Sequence, residues 1–228
     1  MAARTPKARA RHATRGLATR APLDRTTNAM LLRQLYLGHF ELKEFARALE
    51  VAETALALDV LPDVLNQDAA RAAVALGDVD AATRYLRAAA RRGPASRRPF
   101  HYWTLGSILF LAQRYEEASA ALTRAIRWGT RDRPLYRAHL ELVRIAAGIP
   151  PADTLQETID QLSGAPCGQG YGRFVLGHLA YAAGEWHAAR RYLEAFVRRT
   201  EGARAALAIA LSGEVAMAKA TLAKMKNN

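Results

Sequence analysis

Apolar residues recur along this chain at helical spacing, and the helical stretches break at a nearly constant interval. A small or turn-forming residue is followed two positions on by an apolar or aromatic residue, and three later by Ala. The pattern reads Lys43-Phe45-Ala48, Gly77-Val79-Ala82, Gln113-Tyr115-Ala118, Gly184-Trp186-Ala189 and Gly213-Val215-Ala218. A degenerate copy at Gly148 fills the gap between the third and fourth, so the intervals run 34, 36, 35, 36 and 29 residues. A period in the thirties with helical patterning predicts a solenoid of paired helices.

The third unit shows the pairing best. Trp103, Ile108, Leu109 and Leu111 follow Pro99, and Tyr115, Leu122 and Ile126 follow the turn. Pro99 suits a first helical turn, where its missing N–H would have no partner. Gly77, Gly148, Gly184 and Gly213 fall where one helix must stop and the next begin, a position that favours a residue tolerant of positive φ. Pro62, Pro94, Pro134 and Pro151 punctuate the segments further. From Asn28 onward the pattern predicts about twelve helices in five to six antiparallel pairs. The fourth pair departs from it, with Pro150-Pro151 and with Asp153 where Ala is expected. Gly164 to Gly170 reads as a loop before the fifth pair.

Composition supports an all-α fold. Half the residues are hydrophobic but only 7% are aromatic, and the abundant Ala and Leu are strong helix formers. No run alternates with period two and no Asn-Gly or Asp-Gly pair occurs, which argues against a sheet. The one cysteine, Cys167, has no partner for an internal disulfide. No apolar run has the length of a transmembrane segment.

Charge adds a second theme. The chain carries +12, nearly all from Arg, a balance that favours acidic partners such as nucleic acid, another polyanion or an anionic membrane. Residues 1–27 hold Arg4, Lys7, Arg9, Arg11, Arg15, Arg20 and Arg25 against Asp24 alone, which is +6 of the total. With Leu17 and Leu23 as their main large apolar residues, they read as a disordered basic tail ahead of a helical-repeat domain at 28–228. The tail lacks the apolar core of a secretory signal but resembles an organellar transit peptide in being Arg-rich and acid-poor. A cytoplasmic protein is expected, or an organellar-matrix one if the tail is such a peptide.

The repeat residues resemble the tetratricopeptide repeat family. The third pair carries Tyr102, Leu105, Gly106, Tyr115, Ala118, Leu122 and Ala125 in the family's order, and the fifth carries Leu176, Gly177, Gly184, Trp186, Ala189 and Leu193. The second gives Gly77, Ala82, Leu86, Ala89 and Pro94, and the first Leu35, Phe45, Ala48, Ala52 and Ala55. Gly106 and Gly177, with the Ala positions, let paired helices approach closely, while large residues fill the gaps between successive pairs. The resemblance covers about residues 28–226. It implies a right-handed superhelix whose first helices line a concave groove for a peptide or helix of another protein.

On that geometry the groove of pair one takes Met30, Arg33, Leu37 and Phe40, and that of pair two Gln67 and Arg71. Pair three contributes Phe100, Trp103, Ser107 and Phe110, and pair five Tyr171, Phe174, His178 and Tyr181. An aromatic-rich concavity suits an amphipathic segment laid into it, with aromatics as anchors. The alternative is that these rings pack between adjacent pairs or against the last helix. Some family members clamp a partner's C-terminal carboxylate with a paired Lys and Asn. Arg33 and Leu37, or Trp103 and Ser107, stand at those positions here, so that clamp is missing.

The remaining cations cluster elsewhere. Between Asp80 and Glu116 lie Arg84, Arg87, Arg91, Arg92, Arg97, Arg98 and Arg114 with no acid among them. Arg84, Arg87 and Arg91 share one helical face. Further groups are Arg124, Arg127, Arg131, Arg133 and Arg137, and then Arg190, Arg191, Arg198 and Arg199. Stacked in register they predict a basic stripe along the convex side or the edge.

No residues read as catalytic or metal-binding. His12, His39, His101, His139, His178 and His187 form no metal-ligand spacing. Gly168-Gln169-Gly170-Tyr171-Gly172 has the glycines of a phosphate loop without its Lys-Ser or preceding strand, and reads as a flexible linker. The expected function is a non-enzymatic, cofactor-free protein-interaction module, acting as scaffold, adaptor or dedicated chaperone. Sequence-indifferent nucleic-acid association through tail and stripe is the alternative, and a second copy of the chain is another candidate occupant of the groove.

Overall fold

The computed structural model describes residues 5–20, 22–151 and 154–225, and among them every regular element is helical. The chain divides into two compact units, Met1–His101 and Tyr102–Asn228.

The first unit is a run of helices in which each packs on the next: α1 (Pro6–Leu17), α2 (Arg25–Glu41), α3 (Phe45–Leu56), α4 (Pro62–Ala75) and α5 (Val79–Arg92). The second helices of the pairs turn alanines inward, Ala48, Ala52 and Ala55 from α3 and Ala82, Ala89 and Ala90 from α5, all at most 1% exposed. Such small side chains bring helices close, and the larger Tyr36, Phe40, Leu65 and Leu86 fill what remains. Tyr36 and Phe40 stack at 5.6 Å, and Phe45 meets Phe40 at 5.5 Å.

α6 (Arg98–Leu111) contains the boundary between the units. The second unit continues with α7 (Tyr115–Trp128), α8 (Arg133–Ala146), α9 (Leu155–Ser163), α10 (Gly172–Ala182), α11 (Trp186–Glu201), α12 (Ala205–Ala210) and α13 (Ser212–Lys224). From α7 to α11 neighbours in sequence pack on one another, and α13 lies on α11 and touches α10. The architecture is the expected all-α solenoid of helix pairs.

The recurring turn position has a conformational cause. Lys43, Gly77, Gln113, Gly148 and Gly184 have φ of 61°, 82°, 59°, 74° and 80°. Each helix ends by swinging one residue left-handed, which reverses the chain within two residues. Gly106 and Gly177 serve a different need. A Cβ at Gly106 would stand 2.6 Å from Leu122, and one at Gly177 2.5 Å from Leu193, so these glycines are contact surfaces between the two helices of a pair. Pro62 and Pro134 sit in the first turns of α4 and α8, and Pro99 in that of α6.

Three expectations need correction. Residues 6–17 are helical rather than an irregular tail, capped by Thr5, whose hydroxyl accepts from the Ala8 N–H. α1 seats on α2 through small residues. Gly38 leaves only 2.8 Å between its Cβ position and the Ala10 methyl, Ala13 is 2% exposed, and Leu31 fills the space beside Gly16. Leu17 joins the cluster of Leu32, Ala55 and Leu65, and Arg9 pairs with Glu41 at 2.5 Å. Counting large apolar residues overlooked a helix that packs by close approach. Gly213, expected at a turn, lies inside α13, and the bend falls at Leu211 instead (φ −108°, ψ 17°). The glycine loop before α10 is not slack: Pro166–Gly168 forms a 3-10 turn, and a Cβ on Gly168 would stand 2.1 Å from the Leu162 carbonyl oxygen. The expectations for Arg4 and for Asp153 in the fourth pair fall outside the described residues.

Candidate functional site

In the first unit the first-helix faces come from α2 and α4, which touch. Met30, Arg33 and Leu37 recur at three and four residues on one face of α2, and Gln67, Arg71 and Val74 do so on α4. What joins them is Asp68, which the sequence reading left out. Its carboxylate is 1% exposed and accepts from the Arg33 Nε at 2.7 Å and the Arg71 guanidinium at 3.4 Å. Burial pushes the Asp68 carboxyl up, and the two cations pull it the other way. One sunken carboxylate therefore orients two partly exposed guanidinium forks and leaves a net positive charge. Met30 is 41% and Val74 36% exposed beside them, whereas Phe40 and Gln67 are buried. The three-residue spacing of Asp68 and Arg71 was the signal available in the sequence. Phe100 is 38% exposed, and its neighbour His101 is buried against Asp63, which also pairs with Arg97 at 3.2 Å.

In the second unit most of the residues assigned to a groove are enclosed. Phe110, Phe174, Ser107 and His178 are at most 5% exposed, while Trp103 and Tyr181 are half-buried. Except for Tyr181, their rings join through Tyr171 and His139 in a continuous cluster. Trp103 meets Tyr171 edge-on at 4.7 Å, Phe110 meets His139 at 5.4 Å, and Phe174 contacts His178 at 4.6 Å and Phe196 at 5.4 Å. Tyr181 packs on Trp186 at 5.2 Å. Over this cluster comes the start of α13. Glu214, 5% exposed, accepts from the Tyr171 hydroxyl at 3.2 Å, and the Ser107 hydroxyl lies 3.3 Å from the same oxygen.

The buried polar groups respond to that enclosure. Burial pushes the Glu214 carboxyl up to about 7 and the Tyr171 phenol well above its ordinary value. It lowers His139 to about 3 and His178 to about 4. Both His139 nitrogens and the His178 Nε2 are buried without a hydrogen-bond partner among the described residues. Among the described residues no group of three His, Cys, Asp or Glu side chains is placed to hold a metal.

The arginine stripe divides. Arg84, Arg87 and Arg91 lie exposed along α5 as their spacing implied. Arg92 pairs with Asp59, Arg97 with Asp63, and Arg98 donates to the Ala90 carbonyl. Lys7, Arg11 and Arg15 form a second exposed row on α1, four residues apart.

The tetratricopeptide repeat family is matched over residues 68–134 and 174–219. The solved structure of pilF from Pseudomonas aeruginosa is 20% identical over 88% of this chain and 90% of that one, with a TM-score of 0.55, a likeness of fold. YrrB, a TPR protein with an unusual peptide-binding site, is 19% identical over 78% of this chain and 90% of its own, with a TM-score of 0.45. No curated protein is matched. No helix among the described residues is long and apolar enough to cross a membrane.

Proposed function

The chain belongs to the tetratricopeptide repeat family, and from that membership we propose that it is an adaptor whose first unit grips an acidic, amphipathic segment of a partner protein on the α2 and α4 faces. The observation that carries this reading is the Asp68 anchor. Two guanidinium forks are fixed by one buried carboxylate, so little side-chain freedom is lost when they bind. Arg suits planar recognition of carboxylates, and Met30, Leu37 and Val74 supply apolar contact beside the charge. In the second unit the start of α13 reaches Tyr171, which bonds Ser107 and joins Trp103, Phe110, Phe174 and His178 through the ring cluster, while Tyr181 packs apart on Trp186. There we read α13 as the occupant of the position a partner helix would take.

The experiment is site-specific photo-crosslinking in lysate, with the crosslinker at Met30 of the full chain. Tryptic mapping should return a discrete protein through an acidic amphipathic stretch, and Arg71→Gln should lower the yield about ten-fold, as expected for one charge-assisted contact. Crosslinks to basic or structureless surfaces, unaffected by Arg71→Gln, would refute it.

A further inference from the structure

We infer that the second unit holds an anion site for a phosphate monoester, in the cavity between the glycine turn, α10 and α11. The cavity measures about 390 Å³, within the size range of small-molecule sites. Its walls include Gly168, Gln169, Arg173, Arg191, Tyr192 and Arg198, and it is independent of the first-helix faces of the first unit.

The sequence places these groups by simple rules. Arg191 and Arg198 stand seven residues apart on α11, two turns along one face, with the small Ala195 between them keeping the floor open. Arg173 rises from the first turn of α10, and its guanidinium donates to the Gln169 side-chain oxygen at 2.7 Å. The opposite wall is the glycine turn, and its backbone is fixed by contact. A Cβ on Gly172 would lie 2.3 Å from the Cys167 carbonyl oxygen, and one on Gly168 still nearer the Leu162 carbonyl oxygen. On the glycine turn itself, the Arg199 guanidinium comes 3.9 Å from the Cβ position of Gly170.

The cavity has cations and no acid. None of its lining residues is Asp or Glu. Glu194, between Arg191 and Arg198 in sequence, lines a neighbouring depression with Lys219, a depression Arg198 also borders, and Glu201 pairs with Lys219 at 2.6 Å. Among the described residues neither Arg191 nor Arg198 forms an ion pair. Arg191 instead lies over the ring of Tyr192 at 5.2 Å. Three guanidiniums around one cavity repel one another, and a dianion with three acceptor oxygens relieves that repulsion while matching their forks. Tyr192 and the buried Leu176 offer an apolar wall to the body of the ester. The phosphoryl group comes either from a free small-molecule monoester or from a phosphorylated side chain of a bound protein.

The test is calorimetric titration of the full chain with O-phospho-L-serine, inorganic phosphate, L-serine, and a neutral pentapeptide unmodified, with phosphoserine, or with Glu in the phosphoserine position. O-Phosphoserine should bind with Kd of roughly 0.1–1 mM, and serine should not bind. Arg191→Gln with Arg198→Gln should weaken it at least about ten-fold, whereas Arg84→Gln with Arg87→Gln on α5 should leave it within about two-fold. The α11 variant loses no ion pair, so its circular dichroism should match the parent. Arg173→Gln provides a second, single-site check. A phosphopeptide at least ten-fold tighter than O-phosphoserine assigns the site to a modified partner, and equal affinities assign it to a free monoester. Absence of O-phosphoserine binding, equal loss in both double variants, or equal binding of a Glu-substituted pentapeptide would each overturn the assignment.

Discussion

The Tyr171 hydroxyl donates to the Glu214 carboxylate across 3.2 Å, tying the start of α10 to the start of α13. Glu214 is buried at this bond while Tyr171 stays partly exposed, and burial holds the Glu214 carboxyl up at about 7.

A carboxyl raised in the folded state stabilises most where it is protonated in both states. Its contribution is full below the ordinary value of 4.5 and is lost as pH rises through about 7. Glu214→Gln keeps an oxygen acceptor for Tyr171 without the charge. The variant should match the parent near pH 4.5 and exceed it by about 2 kcal/mol at pH 8. Urea denaturation at the two pH values measures the difference.

The two buried histidines act in the opposite direction. With His139 near 3 and His178 near 4, both rings stay neutral in the fold and take up protons when the chain unfolds. Their contribution is present above pH 6.5 and is lost as pH falls toward 4 and then 3, by up to about 1.4 kcal/mol per pH unit for each ring. His139→Leu removes both unpartnered nitrogens with little change in side-chain volume. Stability at pH 7 should rise by about 1 kcal/mol, and the acid limb of the stability profile should become shallower.

Close approach within a helix pair is testable at Gly177. Its added methyl would meet the Leu193 side chain at 2.5 Å, inside a core where Leu193 is fully buried. Gly177→Ala should cost about 1–3 kcal/mol by overpacking, although Ala is the better helix former. A neutral or stabilising result in a thermal melt would mean that the pair can separate at little cost.

The turn position gives an opposite expectation. Lys43 and Gln113 hold φ near 60° with side chains attached, a conformation costing L-residues roughly 1–2 kcal/mol. Gly relieves the strain but loses more freedom on folding, roughly 0.5–1 kcal/mol. Gln113→Gly should therefore stabilise by about 0.5 kcal/mol, and with Lys43→Gly the melting temperature should rise by a few degrees.

The repeat was legible because it is written in periodic positions. Lys43, Gly77, Gln113, Gly148 and Gly184 share a spacing, and that spacing identified the turns even where the residue type did not announce a left-handed backbone. Gly213 shows the limit: its pattern matched, but Gly at φ below zero also sits inside a helix, and the chain continued through it. α1 was hidden because Ala10 and Ala13 pack as well as leucines when Gly38 lets them come close. Helical spacing places Arg33 and Arg71 on first-helix faces, and both are partly exposed and held by Asp68. Phe174 and His178 stood on a face too, but no local pattern told that α13 would fold back over their neighbours.

A stack of helix pairs is apolar at each end, because an end pair has the same outer face as an inner one. In this chain α1 closes such a face on α2, with Leu17 plugging the cluster around Leu32 and Arg9 latched to Glu41. It also turns Lys7, Arg11 and Arg15 outward, so this side of the first unit presents cations instead of bare hydrocarbon. The polarity that made residues 1–27 read as a tail is, over residues 6–17, the solvent side of a helix whose other side is packed.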